Sequence, residues 1–241
     1  MLAVALLVGG WAVGRALFGA KADLASAARS GVEPDPAGTA GSPGAGTPTS
    51  GGAPNPTVAA ATAMRVVQHG PGTFTVVPGS QAAPDHGPNA RRMTVRVEVE
   101  TGTDVDLQAF ARQVMATLND PRSWGHGGTM TFARTDAKTA DIRVLLASPD
   151  TSERLCRPLE THGTESCSIG NKAIVTTYRW AKGTPEFPSL AVYREYVVNH
   201  EVGHVLGHHH EQCPGKGKVA PVMQQQTIKV APCRPNGWPF P

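Results

Sequence analysis

One stretch of eleven residues constrains this chain more than all the rest: His200-Glu201-Val202-Gly203-His204-Val205-Leu206-Gly207-His208-His209-His210. On an α-helix, His200 and His204 lie about 40° apart around the axis and about 6 Å along it. Two imidazoles so placed reach one metal ion. Glu201 is rotated roughly 100° from His200, so it reaches a water beside that ion without being a ligand. A third ligand cannot come from the same straight helix. His210 would sit about 15 Å further along it than His200, whereas zinc–nitrogen bonds are only about 2.0–2.1 Å. The chain must therefore leave the helix between His204 and His210. Gly207, which tolerates a left-handed backbone, is the natural stop. His210 is the favoured third ligand, with His208 and His209 as competitors. No Asp, Glu or His follows Glu211, which excludes a later carboxylate or imidazole ligand.

The stretch resembles the metzincin signature H-E-x-x-H-x-x-G-x-x-H, and Ala220-Pro221-Val222-Met223-Gln224 is similar to the Met-turn that follows it in that family. The resemblance implies an α+β fold: a twisted mixed sheet packed on an active-site helix, with a small C-terminal subdomain carrying the Met-turn. It implies Zn2+ held by His200, His204 and His210, Met223 beneath the metal without binding it, and Glu211 at the family-variable position after the third His. No Tyr adjoins Met223, so the extra tyrosine ligand of astacin-like enzymes has no counterpart. The implied activity is that of a zinc metallopeptidase, a hydrolase of extended peptides or proteins in which Glu201 takes a proton from water and passes it to the leaving amine. The pattern is also similar to a family of secreted or anchored actinobacterial proteins of unassigned activity. Two other readings use the same residues: a zinc amidase acting on cell-envelope amides, and a non-catalytic surface module that keeps zinc for stability.

The remainder of the sequence fits export. Met1 to Val13 is apolar or small, and Arg15 interrupts it. As a helix those residues span about 20 Å, short of a hydrocarbon core of about 30 Å. Residues 1–20 are read either as a signal anchor, the preferred form, or as a signal peptide with Ala20-Lys21-Ala22 as its cleavage site. Residues 21–62 are read as a disordered tether, because Gly31 to Val58 holds no Lys, Arg or aromatic residue. The zinc metalloprotease-like domain is then 63–241. Membrane contact is expected through the N-terminal segment alone. The net charge of +3 is spread without a basic run, which argues against a nucleic-acid partner. Cys156, Cys167, Cys213 and Cys233 allow three pairings, of which the sequential one (156–167, 213–233) is the simplest. The second bridge would enclose Met223. Cys213 as a metal ligand is a minor alternative.

Periodicity supplies the scaffold. Met64–Gln68 and Thr73–Val77 read as a hairpin, and Met93–Glu100 alternates as a strand. Asp104 or Asp106 caps a helix carrying Leu107, Phe110, Val114 and Leu118. Thr129–Ala133, Asp141–Ala147 and Lys172–Trp180 read as strands, with the Cys156–Ile169 region as a candidate sheet edge. Ser189 caps a long helix through Leu206. His69, His86, His126 and His162 read as ordinary surface histidines. Trp238 and Phe240 either wall the cleft or cap the core.

Overall fold

A computed structural model describes residues 64–241. The expected anchor or signal segment (1–20) and nearly all of the tether (21–62) therefore lie outside the described residues. The chain is α+β. The strands are β1 (Phe74–Val76), β2 (Arg91–Glu100), β3 (Met130–Arg134), β4 (Ile142–Ala147), β5 (Cys167–Ile169) and β6 (Lys172–Thr176). The α-helices are α1 (Leu107–Leu118), α2 (Pro149–Cys156), α3 (Thr177–Lys182) and α4 (Leu190–Val205). The sheet runs β1-β2-β4-β6-β5, and β3 also pairs with β2. Because β2 is ten residues long, its first half pairs with β3 while its last residues pair with β1. The central ladders β2–β4 and β4–β6 are parallel, and β5 closes the far edge antiparallel to β6.

The two faces of the sheet differ as the side-chain alternation of β2 requires. Met93, Val95, Val97 and Val99 enter the main core with Phe110, Val114 and Leu118 of α1 and Tyr193, Tyr196 and Val197 of α4. Arg96, Glu98 and Glu100 point the other way. There the Glu98 carboxylate takes a two-pronged bond from Arg143 at 2.6 and 2.9 Å. The small cluster of Ala147, Cys156, Cys167 and Ile174 lies at the α2 end. Asp106, not Asp104, caps α1 by accepting from the Ala109 amide at 2.7 Å. Ser189 caps α4 through the Val192 amide. After α4 the chain has no further helix or strand, yet Val222, Met223 and Val230 join the main core.

Two expectations need correction, and a third is narrowed. Met64–Gln68 is not a strand, and β1 pairs with the end of β2 instead. The loop between them is drawn toward α2: the Gly70 amide donates to Ser148 Oγ, and the Asp150 amide donates to the Gln68 carbonyl. Lys172–Trp180 is a strand only to Thr176, whose hydroxyl caps α3 and turns the chain into a helix. The Cys156–Ile169 region does supply the sheet edge, through Cys167–Ile169 alone, and its first residue, Cys156, ends α2, which starts at Pro149, a favoured first-turn residue.

Glu100 fixes the β2–α2 junction. Only 1 % exposed, it accepts from the Gly72 amide (2.7 Å), the Ser148 amide (2.6 Å) and Thr151 Oγ1 (2.7 Å). Glu100→Ala leaves two buried donors and one part-buried donor without their acceptor. We expect a loss of about 3 kcal/mol or more in urea unfolding, with Glu100→Gln costing less.

Candidate metal centre

The helix that carries the histidines is enclosed on all sides where it matters. Every residue from Tyr196 to Gly203 is buried, so this part of α4 lacks the polar stripe of a surface helix. Its end is set by Gly207, at φ +96°. The Gly207 amide donates to the His204 carbonyl and the His208 amide to the Gly203 carbonyl, the paired bonds of a Schellman stop. Beyond this turn the chain doubles back and brings His210 to the helix.

Hydrogen bonds orient the two helix imidazoles. His200 Nδ1 bonds to the Val222 carbonyl at 2.9 Å, and His204 Nδ1 bonds to the His208 carbonyl at 2.8 Å. Each carbonyl accepts a proton from Nδ1, which leaves each Nε2 with its lone pair free. His204 Nε2 lies 3.1 Å from His210 Nε2. One nitrogen from each of the three rings can be chosen so that all lie within 4.8 Å of one another. Nitrogens sharing one tetrahedral ion lie roughly 3.3 Å apart, so the cluster matches a metal-binding set after small adjustments. Burial pushes the His200 imidazole down to about 3. It lowers His204 and His210 as well, and so favours the neutral, ligating form in all three.

Glu201 is 4 % exposed and opens into the same cleft. Burial, with Glu165 adding, pushes its carboxyl up to about 8. The cleft has a volume of about 350 Å3 and is walled on one side by the segment from Leu159 through β5 to Gly170, and on the other by Gln225. A larger hollow of about 670 Å3 lies beside α2, lined by Asp150, Glu153, Arg154 and His162, and contains none of the three clustered histidines.

The sequence-derived candidates separate cleanly. His200, Glu201, His204 and His210 come together. His208 does not join them: its ring stacks on Trp124, with centroids 4.2 Å apart. His209 is exposed and outside the cluster. Cys213 is bonded to Cys233, and Cys156 to Cys167, so no thiol is available as a ligand. His69 pairs with Asp150, and His126 stacks on Phe240. Neither they nor His86 and His162 enter the cluster. Trp238 lies beneath the Arg122 guanidinium at 4.0 Å, and neither it nor Phe240 lines the cleft. Glu211 donates its amide to the Met223 carbonyl.

Met223 supports the helix from below. A Cβ built on Gly203 would come within 2.5 Å of Met223 Sδ and 2.6 Å of the Trp124 ring. The second variable position of the motif is thus a glycine because two large side chains close on it. The turn that places Met223 also presents the Val222 carbonyl to His200. Tyr196 ties the turn to α4: its hydroxyl donates to the Gln224 carbonyl and accepts from the Gln226 amide. Asn199 adds bonds from Ser123 Oγ and to the Gly237 carbonyl. Trp124, Asn199 and Glu165 were missed by sequence reasoning, because long-range packing gives them no local pattern.

An α+β chain with three convergent imidazoles beside a buried carboxylate is the class that the fold and site define. Residues 61–241 match the family described as "Protein of unknown function (DUF3152)", and the chain belongs to that family. Among curated proteins there is no match. A solved structure titled "Structure of myroilysin" is similar over 55 % of this chain at 18 % identity and a TM-score of 0.31. The chain spans about half the length of that protein, 55 %. Likeness of this extent carries no argument about either.

Two outcomes follow from the packing. Gly203→Ala should cost about 1–3 kcal/mol, because Met223 and Trp124 must both move, with a shift in tryptophan fluorescence reporting the displacement of Trp124. Replacing Cys213 and Cys233 together by Ser should lower stability by roughly 3 kcal/mol in denaturant titration. It should also weaken metal binding, measured by competition with a chromophoric chelator. Unchanged metal affinity would mean that the bridge does not hold the site.

Proposed function

We propose that this protein is an exported zinc-dependent metallopeptidase of the metzincin type. One observation carries the reading: the His200, His204 and His210 ring nitrogens converge at an open cleft that also receives the Glu201 carboxylate. Three neutral imidazoles suit Zn2+ in both donor type and number, and three protein ligands are what a catalytic site provides. When bound, zinc supplies an electrophile that acidifies water and polarises a carbonyl.

The chain's own residues do the rest. His200 and His204 keep their Nδ1 protons on backbone carbonyls, which holds each ring in the ligating tautomer. Glu201 accepts the proton of the attacking water and delivers it to the leaving nitrogen. A cation held by the three imidazoles would offset the desolvation that raises this carboxyl to about 8, and would favour the ionised form that accepts the proton. The outer edge of β5 borders the cleft and offers an extended peptide a strand to pair with. An open cleft is what separates this reading from a module that keeps zinc for stability alone.

The two disulfides point to an oxidising, extracytoplasmic compartment. None of the described helices is long and apolar enough to cross a membrane. Attachment through the N-terminal segment remains part of this proposal.

The zinc-loaded protein is expected to cleave a degenerate peptide library. Glu201→Gln should lower kcat by about 10^3-fold while retaining one equivalent of zinc by elemental analysis. His204→Ala should lose the zinc. An active Glu201→Gln protein would remove Glu201 from its role, and a zinc-loaded wild type that cuts no peptide would remove the peptidase reading.

A further inference from the structure

The cleft holds a second carboxylate that the proposed reaction does not use. Glu165 stands in the loop leading into β5 and lines both the cleft beside the histidines and a smaller recess that opens from it. In the recess it meets Tyr196 and Glu201 of α4, with Gln225, Thr227 and Ile228 forming the opposite side. Its side chain is half-buried and makes no ion pair or side-chain hydrogen bond among the described residues. Other carboxylates of the domain differ. Glu153 accepts three bonds from Thr161 and Gly163, and Glu98 is held by Arg143. Arg179, whose guanidinium lies at the carbonyl of the adjacent Thr164, donates to that carbonyl and to the Gly183 carbonyl and forms no ion pair with Glu165. No Lys or Arg lines the cleft or the recess.

A carboxylate that lines a cleft holding no counter-charge is free to pair with an incoming cation. The recess also offers an apolar flank, since Ile228 is 57 % exposed beside it. A long side chain with an aliphatic stem and a cationic tip matches both features: the stem covers Ile228 and the tip meets Glu165. An acidic side chain at the same place is repelled. We propose that the part of the cleft bordered by Glu165, with the recess of about 30 Å3 at its edge taking only the cationic tip, is a substrate subsite for Lys or Arg beside the scissile bond, with Glu165 as the specificity-determining residue. This rests on the peptidase reading of the same cleft.

The test separates binding from turnover. Full-length Glu201→Gln protein, loaded with zinc, is titrated by fluorescence anisotropy with labelled Ala-Ala-Xaa-Ala-Ala peptides, where Xaa is Lys, norleucine or Glu. Lys should bind about tenfold tighter than norleucine, and Glu weaker than either, with the Lys preference shrinking in salt. Adding Glu165→Gln should erase the preference, and Glu165→Lys should reverse it in favour of Glu. An unchanged thermal midpoint in these variants shows that the fold is intact. Equal affinities for the three peptides, or none for any, overturn the subsite. Turnover of the same peptides by wild type is read separately. Lys-selective binding without turnover keeps the subsite and removes the peptidase reading. Turnover without Lys selectivity does the opposite.

Discussion

Two backbone carbonyls, those of Val222 and His208, decide which nitrogen each helix histidine presents. By accepting the Nδ1 protons of His200 and His204 they leave both Nε2 atoms free to converge. The rest of the C-terminal third is arranged around these two acceptors. The His208 carbonyl stands where it does because Gly207 ends α4 in a left-handed turn and the His208 ring stacks on Trp124. The Val222 carbonyl is presented by a turn that has no sheet partner. That turn is held by Tyr196, by the Gln224 side-chain bonds to the Lys229 and Val230 carbonyls, and by Met223 packed into the hollow at Gly203. Loss of either support frees an imidazole to rotate, at which point the three nitrogens no longer define one point in space.

The chemistry of the site was far more legible in the sequence than its scaffold. A 3.6-residue repeat fixes the relation of His200, Glu201 and His204 on any helix, and a glycine at position 207 dictates where that helix must end. Choosing among His208, His209 and His210 required the structure, because the choice turns on the indole of Trp124, far away in sequence, claiming the His208 ring. The pairing of Cys156 with Cys167 and of Cys213 with Cys233 followed from proximity in the chain. Helices α2 and α3 were hidden for a different reason: each is short, and each begins within a run that reads as loop or strand. At Thr176 the same hydroxyl-bearing residue ends a buried strand and caps a helix, a change of direction that residue preferences cannot place. The assignment of 64–68 as a strand failed because the loop after it is claimed by α2 through Ser148 and Asp150.

The two disulfides acquire a common meaning once the cleft is drawn. Its floor is α4, which needs no covalent help because residues 196–203 are buried throughout. Its walls are different. The β5 side is a three-residue edge strand approached by an exposed loop, with Leu159 half-exposed at the rim. The opposite side, residues 210–232, has no regular secondary structure, and Ile228 faces outward. In each wall one stretch, residues 157–160 in the first and 210–219 in the second, buries little apolar surface to offset the entropy of holding it in one conformation. Cys167 lies in the first wall and is bonded to the end of α2, and Cys213 lies beside the second and is bonded to Cys233. Each bridge thus restrains the segment that packing alone leaves weakest, and it does so at the walls of the cleft. The fold therefore divides its labour: hydrophobic burial fixes the helix histidines, and covalent closure fixes the surfaces that face them.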